Sequence, residues 1–394
     1  MSHPAELVDQ ASFDTTLHLR LVFGNGTLSR LGELASEHGA GKVLLVTDPG
    51  IRAVGHVDRA QASLEAAGLS VAIYDQAKEN PTTECVAECV ELARAEGIDF
   101  IVGLGGGSSM DTAKGCNFLL TNGGEMKDYW GVGKASKPML PLIAIPTTAG
   151  TGSECQSFAL ISDAVTHAKM ACGDPKAMAK VAILDPELTL SQPQCVTACT
   201  GIDAVAHAVE SAVTRKRNET SQQYSRVAFG LLNESLPRVL QAPDDLEARG
   251  RMLLGAAFAG TAIEHSMLGA AHSAANPLTA HFDVIHGEAV GLMLPHVVRF
   301  NGEDESISQI YAELLECSGA PSPNGAPAHE TLAVILEEFM DAAGLSCSLN
   351  QCGVTEDKIG NLSEEAAGQW TASFNPRDIA ASDFDQLYRT AFGS

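Results

Sequence analysis

Apolar positions in the first half of the chain fall into short dense runs, separated by longer stretches in which they recur at helical spacing. The dense runs are LHLRLVF, KVLLVTD, LSVAIYD, FIVGLGGG and MLPLIAIPTT. Between them lie TLSRLGELASEHG, HVDRAQASLEAAG, TTECVAECVELARAEG and SSMDTAKGCNFLL, where apolar residues return every three or four positions. Dense runs suit strands buried on both faces, and strands separated by helices predict a parallel, doubly wound sheet. The segment Ser162–Leu190 reads as a strand pair ending in a turn at Asp185-Pro186.

From about Ser191 the pattern changes. GIDAVAHAVESAVT, QQYSRVAFGLLNESLPRVL, LEARGRMLLGAAFAGTAIEHS and HETLAVILEEFMDAAG all carry helical spacing with few strand-like runs between them. The pattern therefore predicts an α/β domain over 1–190 and an all-helical domain over 191–394, with a loop at 318–327 inside the second. Neither an internal repeat nor a low-complexity tail is present. A length of 394 residues fits two or three domains.

Charge narrows the function. With 25 basic against 49 acidic residues the net charge is −24, a field that repels nucleic acid and anionic membranes. The start, MSHPAELVDQ, carries acids and no apolar signal-peptide core, and no apolar run approaches the length of a membrane span. The ten cysteines contain no CxxC pair and read as reduced core thiols, although Cys85/Cys89 and Cys195/Cys199 are each one helical turn apart. A cytoplasmic enzyme is the expectation.

Three turns carry candidate chemistry. GLGGGSSMD (Gly103 to Asp111) leaves a strand and opens a helix; glycine lets the backbone approach a ligand, and a helix N-terminus offers free N–H groups to a pyrophosphate. It departs from G-x-G-x-x-G, because Ser108 stands where the third glycine would, and a tight structural turn is an equal reading. PTTAGTGSE (Pro146 to Glu154) presents hydroxyls and amides at the end of another strand. In TDPG, Asp48 can accept from an adenosine ribose hydroxyl and would repel a 2′-phosphate, or it can be a plain helix N-cap.

A fourth constellation lies in the helical half. Asp203 and His207, spaced Asp-x-x-x-His, project from one helix face, and His272 and His286 follow as His-x13-His. One carboxylate and three imidazoles suit Zn²⁺ or Fe²⁺. An isolated acid/imidazole pair at this spacing is more often a surface or capping pair; the phosphate-type loop upstream is what favours a metal.

GGGSSMD, PTTAGTGSE, LDPELT, GIDAVAHAVE and HSAANPLTAHFDVIHGEA, in that order over most of the chain, resemble the iron-containing (group III) alcohol dehydrogenases. The resemblance implies a dehydroquinate synthase-like fold, in which an N-terminal dinucleotide-binding domain precedes a helical metal-binding domain. It implies NAD(H), with NADP(H) as an alternative, Fe²⁺ or Zn²⁺, a small alcohol or aldehyde substrate, and a homodimer or higher homo-oligomer. It carries metal ligation onto Asp203, His207, His272 and His286. Cofactor contact falls on Asp48, Gly106, Gly107, Ser108, Asp111, Thr147, Thr148, Thr151, Phe158 and Lys169. Relatives in this family have a further histidine four residues after the third ligand, where this chain has Asn276. Asparagine can hydrogen-bond but cannot take up or release a proton at neutral pH. His265, seven residues before His272 and expected on the same helical face, and His281 are the candidate substitutes, though a packed or surface histidine is the commoner reading of either.

The preferred expectation is a metal-dependent alcohol dehydrogenase. A keto- or hydroxy-acid reductase or transhydrogenase would want a basic residue facing the substrate. A dehydroquinate synthase-like lyase would want several for a phosphate. Few basic residues surround the proposed ligands. A silent nucleotide- and metal-binding protein is the remaining alternative, and the filled ligand positions argue against it.

Overall fold

The computed structural model describes residues 4–166, 168–319 and 325–393. Within the predicted loop at 318–327, Ala320–Asn324 lie outside the described residues, as does His167 of the predicted strand pair. The chain forms two compact units, one of residues 1–148 with 152–192, the other of residues 149–151 with 193–394. The junction falls two residues beyond the one expected from the hydropathy pattern, and three residues of the Thr-rich turn belong to the helical unit.

In chain order the first unit contains β1 (Phe13–Thr16), β2 (Arg20–Phe23), α1 (Leu31–Glu37), β3 (Lys42–Val46), α2 (Pro49–Ala53), α3 (His56–Ala66) and β4 (Ser70–Tyr74). It continues with α4 (Thr83–Glu96), β5 (Phe100–Gly105), α5 (Gly107–Asn122), β6 (Gly131–Val132), β7 (Leu142–Pro146), β8 (Phe158–Ser162), β9 (Lys169–Gly173) and β10 (Val181–Leu184). Seven strands make the main sheet, ordered β1-β2-β10-β7-β5-β3-β4 and parallel except for the β1–β2 hairpin. Strands β5, β7 and β10 are buried at every residue, which is why their sequences run apolar without alternation.

Strand pleating separates two cores. Val43 and Leu45 of β3 face α1 and α3 through Leu31, Leu34, Val57 and Leu64. Leu44 and Val46 face α4 and α5 through Val86, Cys89, Met110 and Phe118. The crossovers from β3 to β4 and from β4 to β5 thus use opposite faces, and the strand order reverses between β3 and β5. Crevices outside the carboxyl ends of such strands are where doubly wound sheets bind ligands.

The strand pair expected over Ser162–Leu190 is different in detail. Strand β8 ends at Ser162 instead of starting there; it pairs antiparallel with β9, and β6 adds to β9 in a separate three-stranded sheet. Strand β10 leaves this group and inserts between β2 and β7. The cysteines also divide: six are buried, but Cys195, Cys317 and Cys347 are exposed and Cys352 is half-buried, so the core-thiol reading holds only for the six.

The second unit is built from α6 (Gln194–Val213), α7 (Glu219–Gln241), α8 (Leu246–His265), α9 (Ala270–Phe282), α10 (His286–Gly302), α11 (Glu305–Cys317), α12 (Ala328–Ala343), α13 (Ile359–Gly368) and α14 (Ala381–Phe392). Helix α6 is central, buried without a break from Gly201 to Val213. Such a helix must be apolar on every side, so polar residues on it are there for a reason. Asn218, Asp245 and Asp304 cap α7, α8 and α11 by accepting from first-turn amides. No described helix is long and apolar enough to cross a membrane.

Helix α10 meets α6 at backbone contact distance. A Cβ placed on Gly287 would overlap the Cys199 carbonyl, and one on Gly291 would strike Ile202 and Met340. Gly287→Ala is therefore expected to lower stability by about 1–3 kcal/mol, because neither helix backbone can yield locally. Thermal unfolding of the variant checks this; an unchanged midpoint would mean that the helices separate at little cost.

Candidate metal and nucleotide sites

Asp203 and His207 stand one turn apart on α6, where both side chains are almost fully buried. Their neighbour is His272 in the first turn of α9. The Nε2 atoms of His207 and His272 each lie 3.3 Å from Asp203 Oδ1, and the two imidazole rings stack with centroids 5.0 Å apart. One ligand atom from each of the three residues falls within 4.8 Å of the others. His286, the first residue of α10, sits at the edge with Nε2 3.8 Å from the same oxygen. Its side chain is 33% exposed against 5–7% for the other three, so the set opens toward His286.

A cation suits these atoms. Asp203 Oδ1 and His272 Nε2 are both buried and, apart from their 3.3 Å contact with each other and the neighbouring imidazoles, make no well-aligned hydrogen bond, an expensive arrangement unless something else satisfies them. Two ligand atoms about 2.1 Å from a tetrahedral cation stand about 3.4 Å apart, close to the spacing found here.

The electrostatics are those of a buried carboxylate among imidazoles. Burial opposes ionisation of Asp203, but His207, His272 and His286 outweigh it and hold the carboxyl far below its ordinary range. Burial pushes His207 down, with His272 adding to the effect against Asp203. For His272 burial also pushes down, yet Glu210 and Asp203 prevail and lift it to about 9.

Glu210 was not singled out from the sequence. It lies seven residues after Asp203, on the same stripe of α6, and its carboxylate meets His272 Nδ1 with one oxygen and the Ala271 N–H, at 2.8 Å, with the other. An acid on an otherwise apolar helix, in register with Asp203 and His207, was the available signal.

The candidate relay residues are not together. Helix α8 ends at His265, and the chain turns through Met267, at φ 148°, and Gly269 before α9 starts. His265 and His272 are therefore on different helices, and the shared helical face expected from their spacing does not exist. His265 is exposed, with its carbonyl accepting from Asn218 Nδ2 at 2.6 Å. His281 does share α9 with His272, but nine residues at about 100° each place it on the opposite face. There it is exposed and pairs with Glu365 at 2.8 Å. Asn276, one turn after His272, keeps the near face; it is half-buried and donates to Gln369 Oε1 at 3.1 Å.

In the first unit the predicted nucleotide elements gather where the strand order reverses. Asp48, after β3, caps α2 by accepting from Ile51 N at 3.0 Å, so the N-cap reading is realised. Its second oxygen accepts from Ser109 of the glycine loop at 3.1 Å. Gly105 adopts φ +149°, and a Cβ there would strike Ser109 and approach Asp48. Gly106 caps α5 without a side chain, leaving the first-turn amides of Gly107 and Ser108 without intrahelical partners. Thr147 directly follows β7 and Thr47 directly follows β3, and the hydroxyl of each is buried without a hydrogen-bond partner. Thr148 approaches Gly106, whereas Thr151 belongs to the helical unit beside Gly150, which packs on Thr200.

Asp111, Phe158 and Lys169 are differently placed. Asp111 is buried and accepts from Ser153 Oγ at 3.0 Å; burial raises its carboxyl against Lys114 and Ser153. The fully buried Lys114, not anticipated, donates to the Ser153 carbonyl at 2.6 Å and the Phe158 carbonyl at 3.0 Å. Lys114 and Asp111 thus tie α5 to the turn after β7, and Asp111 supports the loop from inside. The Phe158 ring covers Gly173, while Lys169, opposite Ser162 at the other end of that strand pair, is exposed and reaches Asn80 at 3.5 Å.

Two family models match. Residues 19–186 match "iron-containing alcohol dehydrogenase" and residues 197–392 match "Fe-containing alcohol dehydrogenase family, C-terminal". Over 374 residues the chain is 35% identical to the NAD-dependent methanol dehydrogenase of Bacillus methanolicus, covering 94% of this chain and 97% of the relative. It is 33% identical to the 1,3-propanediol dehydrogenase of Klebsiella pneumoniae, covering 94% and 96%. A solved 1,3-propanediol oxidoreductase superposes with a TM-score of 0.91 at 30% identity, over 97% of this chain and all of that one.

Glu154, at the end of the Thr-rich turn, is 1% exposed, and burial raises its carboxyl from 4.5 to about 7. The folded state then holds a proton that the unfolded chain has lost, so this group reduces stability as pH rises from about 4.5 through 7. The full difference is about 3 kcal/mol, reached above pH 7. Glu154→Gln should remove this component, leaving the variant stabilised relative to the wild type at pH 8 but not at pH 4.5. Denaturant midpoints at the two pH values measure it; parallel curves would contradict the raised pKa.

Proposed function

This chain belongs to the iron-containing alcohol dehydrogenase family, and we propose that it interconverts a small alcohol and its aldehyde or ketone with NAD(H), using one divalent cation held by Asp203, His207, His272 and His286. The observation that carries this reading is the convergence of three imidazole nitrogens on one buried carboxylate oxygen: Nε2 of His207 and of His272 at 3.3 Å and of His286 at 3.8 Å from Asp203 Oδ1. When bound, the cation (Fe²⁺ or Zn²⁺) supplies Lewis acidity toward the substrate oxygen and the nicotinamide supplies the hydride chemistry.

The protein's own part is positioning. Asp203 and His207 hold their places through the rigidity of a buried helix. His286 occupies the accessible edge, and a substrate would approach from that side. Asn276 faces the same way as His272 along α9 and, with its amide engaged by Gln369, orients without relaying a proton. Neither His265 nor His281 has a position that supports a relay, so we assign proton loss to solvent or a ribose hydroxyl. The glycine loop, Ser108, Thr147 and Thr148 offer amides and hydroxyls to the dinucleotide, with Asp48 toward its ribose; Phe158 and Lys169 are assigned outer contacts and Asp111 an inner support. Methanol and 1,3-propanediol are the substrates in the relatives' names, so short primary alcohols are proposed here. We also propose a cytoplasmic location and a homodimer or higher homo-oligomer.

Two outcomes are expected in solution. Following NADH absorbance over a panel of short alcohols and aldehydes, turnover should vanish on chelation and return with Fe²⁺ or Zn²⁺; full turnover in the metal-stripped protein would overturn the reading. The wild type should also prefer NAD⁺ to NADP⁺ in kcat/KM, and Asp48→Gly should relax or invert that preference, because a carboxylate repels the 2′-phosphate. Glycine costs an N-cap only a few tenths of a kcal/mol, so the fold is not at stake. A wild type that prefers NADP⁺ would contradict the role given to Asp48.

A further inference from the structure

We infer that Glu210 is the positioning residue that fixes His272 in the tautomer able to bind a cation, and that it does so because its two oxygens are committed to different donors. The inference rests on the cation reading of Asp203, His207 and His272.

Helix α9 begins at Ala270 after Gly269, which has no side chain to cap it. The first four N–H groups of a helix lack intrahelical partners. Glu210 Oε1 takes one of them, the Ala271 N–H, at 2.8 Å, so an acid on α6 does the work of a cap on α9. A carboxylate is favoured at a helix N-terminus. Gly269 keeps the approach open: a Cβ there would stand 3.1 Å from Oε1.

With Oε1 spent on that amide, Oε2 faces His272 Nδ1. A carboxylate oxygen can only accept, so Nδ1 must carry a proton. Nε2 of the neutral ring is then left with a lone pair, aimed at the space beside Asp203 Oδ1. Carboxylates that hold the far nitrogen of a ligating histidine in this way fix its tautomer and raise its basicity. Here the same carboxylate also anchors the helix on which the histidine rides, so tautomer and ring position are set by one residue.

Glu210→Gln separates these roles. Glutamine has one acceptor oxygen, and the Ala271 N–H claims it. The amide NH₂ then faces His272 Nδ1, which must become the acceptor, and the ring proton moves to Nε2, blocking the ligand atom. The reverse amide orientation sets two donors against each other and leaves the Ala271 N–H unpaired. Either way, affinity falls without loss of a ligand.

The test is an equilibrium titration with Co²⁺ on metal-free wild type, Glu210→Gln, Glu210→Asp and His272→Ala, read by the visible absorption of bound cobalt. A second readout is the His272 Nδ1 proton in long-range ¹H–¹⁵N spectra of the Zn²⁺-loaded proteins, which a purely structural role would leave in place. Expected are Co²⁺ affinity lower by about 10- to 100-fold in Glu210→Gln, a smaller loss in Glu210→Asp, and a His272 Nδ1 proton that is present in the wild type and absent in Glu210→Gln. Glu210→Gln binding as tightly as the wild type, with its Nδ1 proton retained, overturns the inference and leaves the cation reading standing. Should Glu210→Gln fail to fold, Glu210→Asp decides: wild-type affinity there overturns the inference. Wild type and His272→Ala binding Co²⁺ equally overturns the cation reading itself, and this inference with it.

Discussion

A single buried carboxylate sets the terms for the helical unit. Asp203 lies within a stretch of α6 that is sealed from water, and an unpaired charge there would cost several kcal/mol. Imidazoles are what surround it. His207 comes from the next turn of the same helix, His272 from the start of α9 and His286 from the start of α10, so three helix segments must converge on one oxygen. The glycines follow from that demand: Gly287 lets α10 touch the α6 backbone directly after His286, and Gly269 lets α9 begin against Glu210. Packing and chemistry are here the same constraint, since the close helix contacts are also what places the nitrogen atoms.

The α/β unit solves a different problem. The elements proposed to hold its dinucleotide are backbone amides and hydroxyls, which need position more than charge. The reversal of strand order between β3 and β5 leaves Asp48 and the glycine loop side by side, joined through Ser109. A buried lysine, Lys114, then holds α5 to the turn after β7 and to the start of β8 through two carbonyls.

How much of this was legible in the sequence depended on the range of the interactions. Dense apolar runs located β2, β3, β5 and β7, because strands covered on both faces leave a local signature, and a similar run marked the half-buried edge strand β4. The hairpin strand β1, with its alternating half-buried residues, did not. Nor did the insertion of β10 between β2 and β7, since strand order is decided by partners far away in sequence. In the helical half, Pro277 and Pro295 interrupt the apolar period of α9 and α10, and both helices run through them. The convergence of Asp203, His207, His272 and His286 was legible from spacing and family likeness together. Glu210 was not, although its register on α6 was visible, because only the fold reveals that α9 starts opposite it. The shared face assumed for His265 and His272 failed for a related reason: seven residues describe one face only while a helix is unbroken, and Met267 and Gly269 break it.

The central claim is that Asp203 organises a binding site for one divalent cation. Elemental analysis of the purified wild type and of Asp203→Ala, both shown to be folded, tests it most directly. Close to one Fe or Zn per chain is expected in the wild type after equilibration with the metal, and almost none in the variant. An Asp203→Ala protein that still holds one cation per chain with wild-type affinity would contradict it.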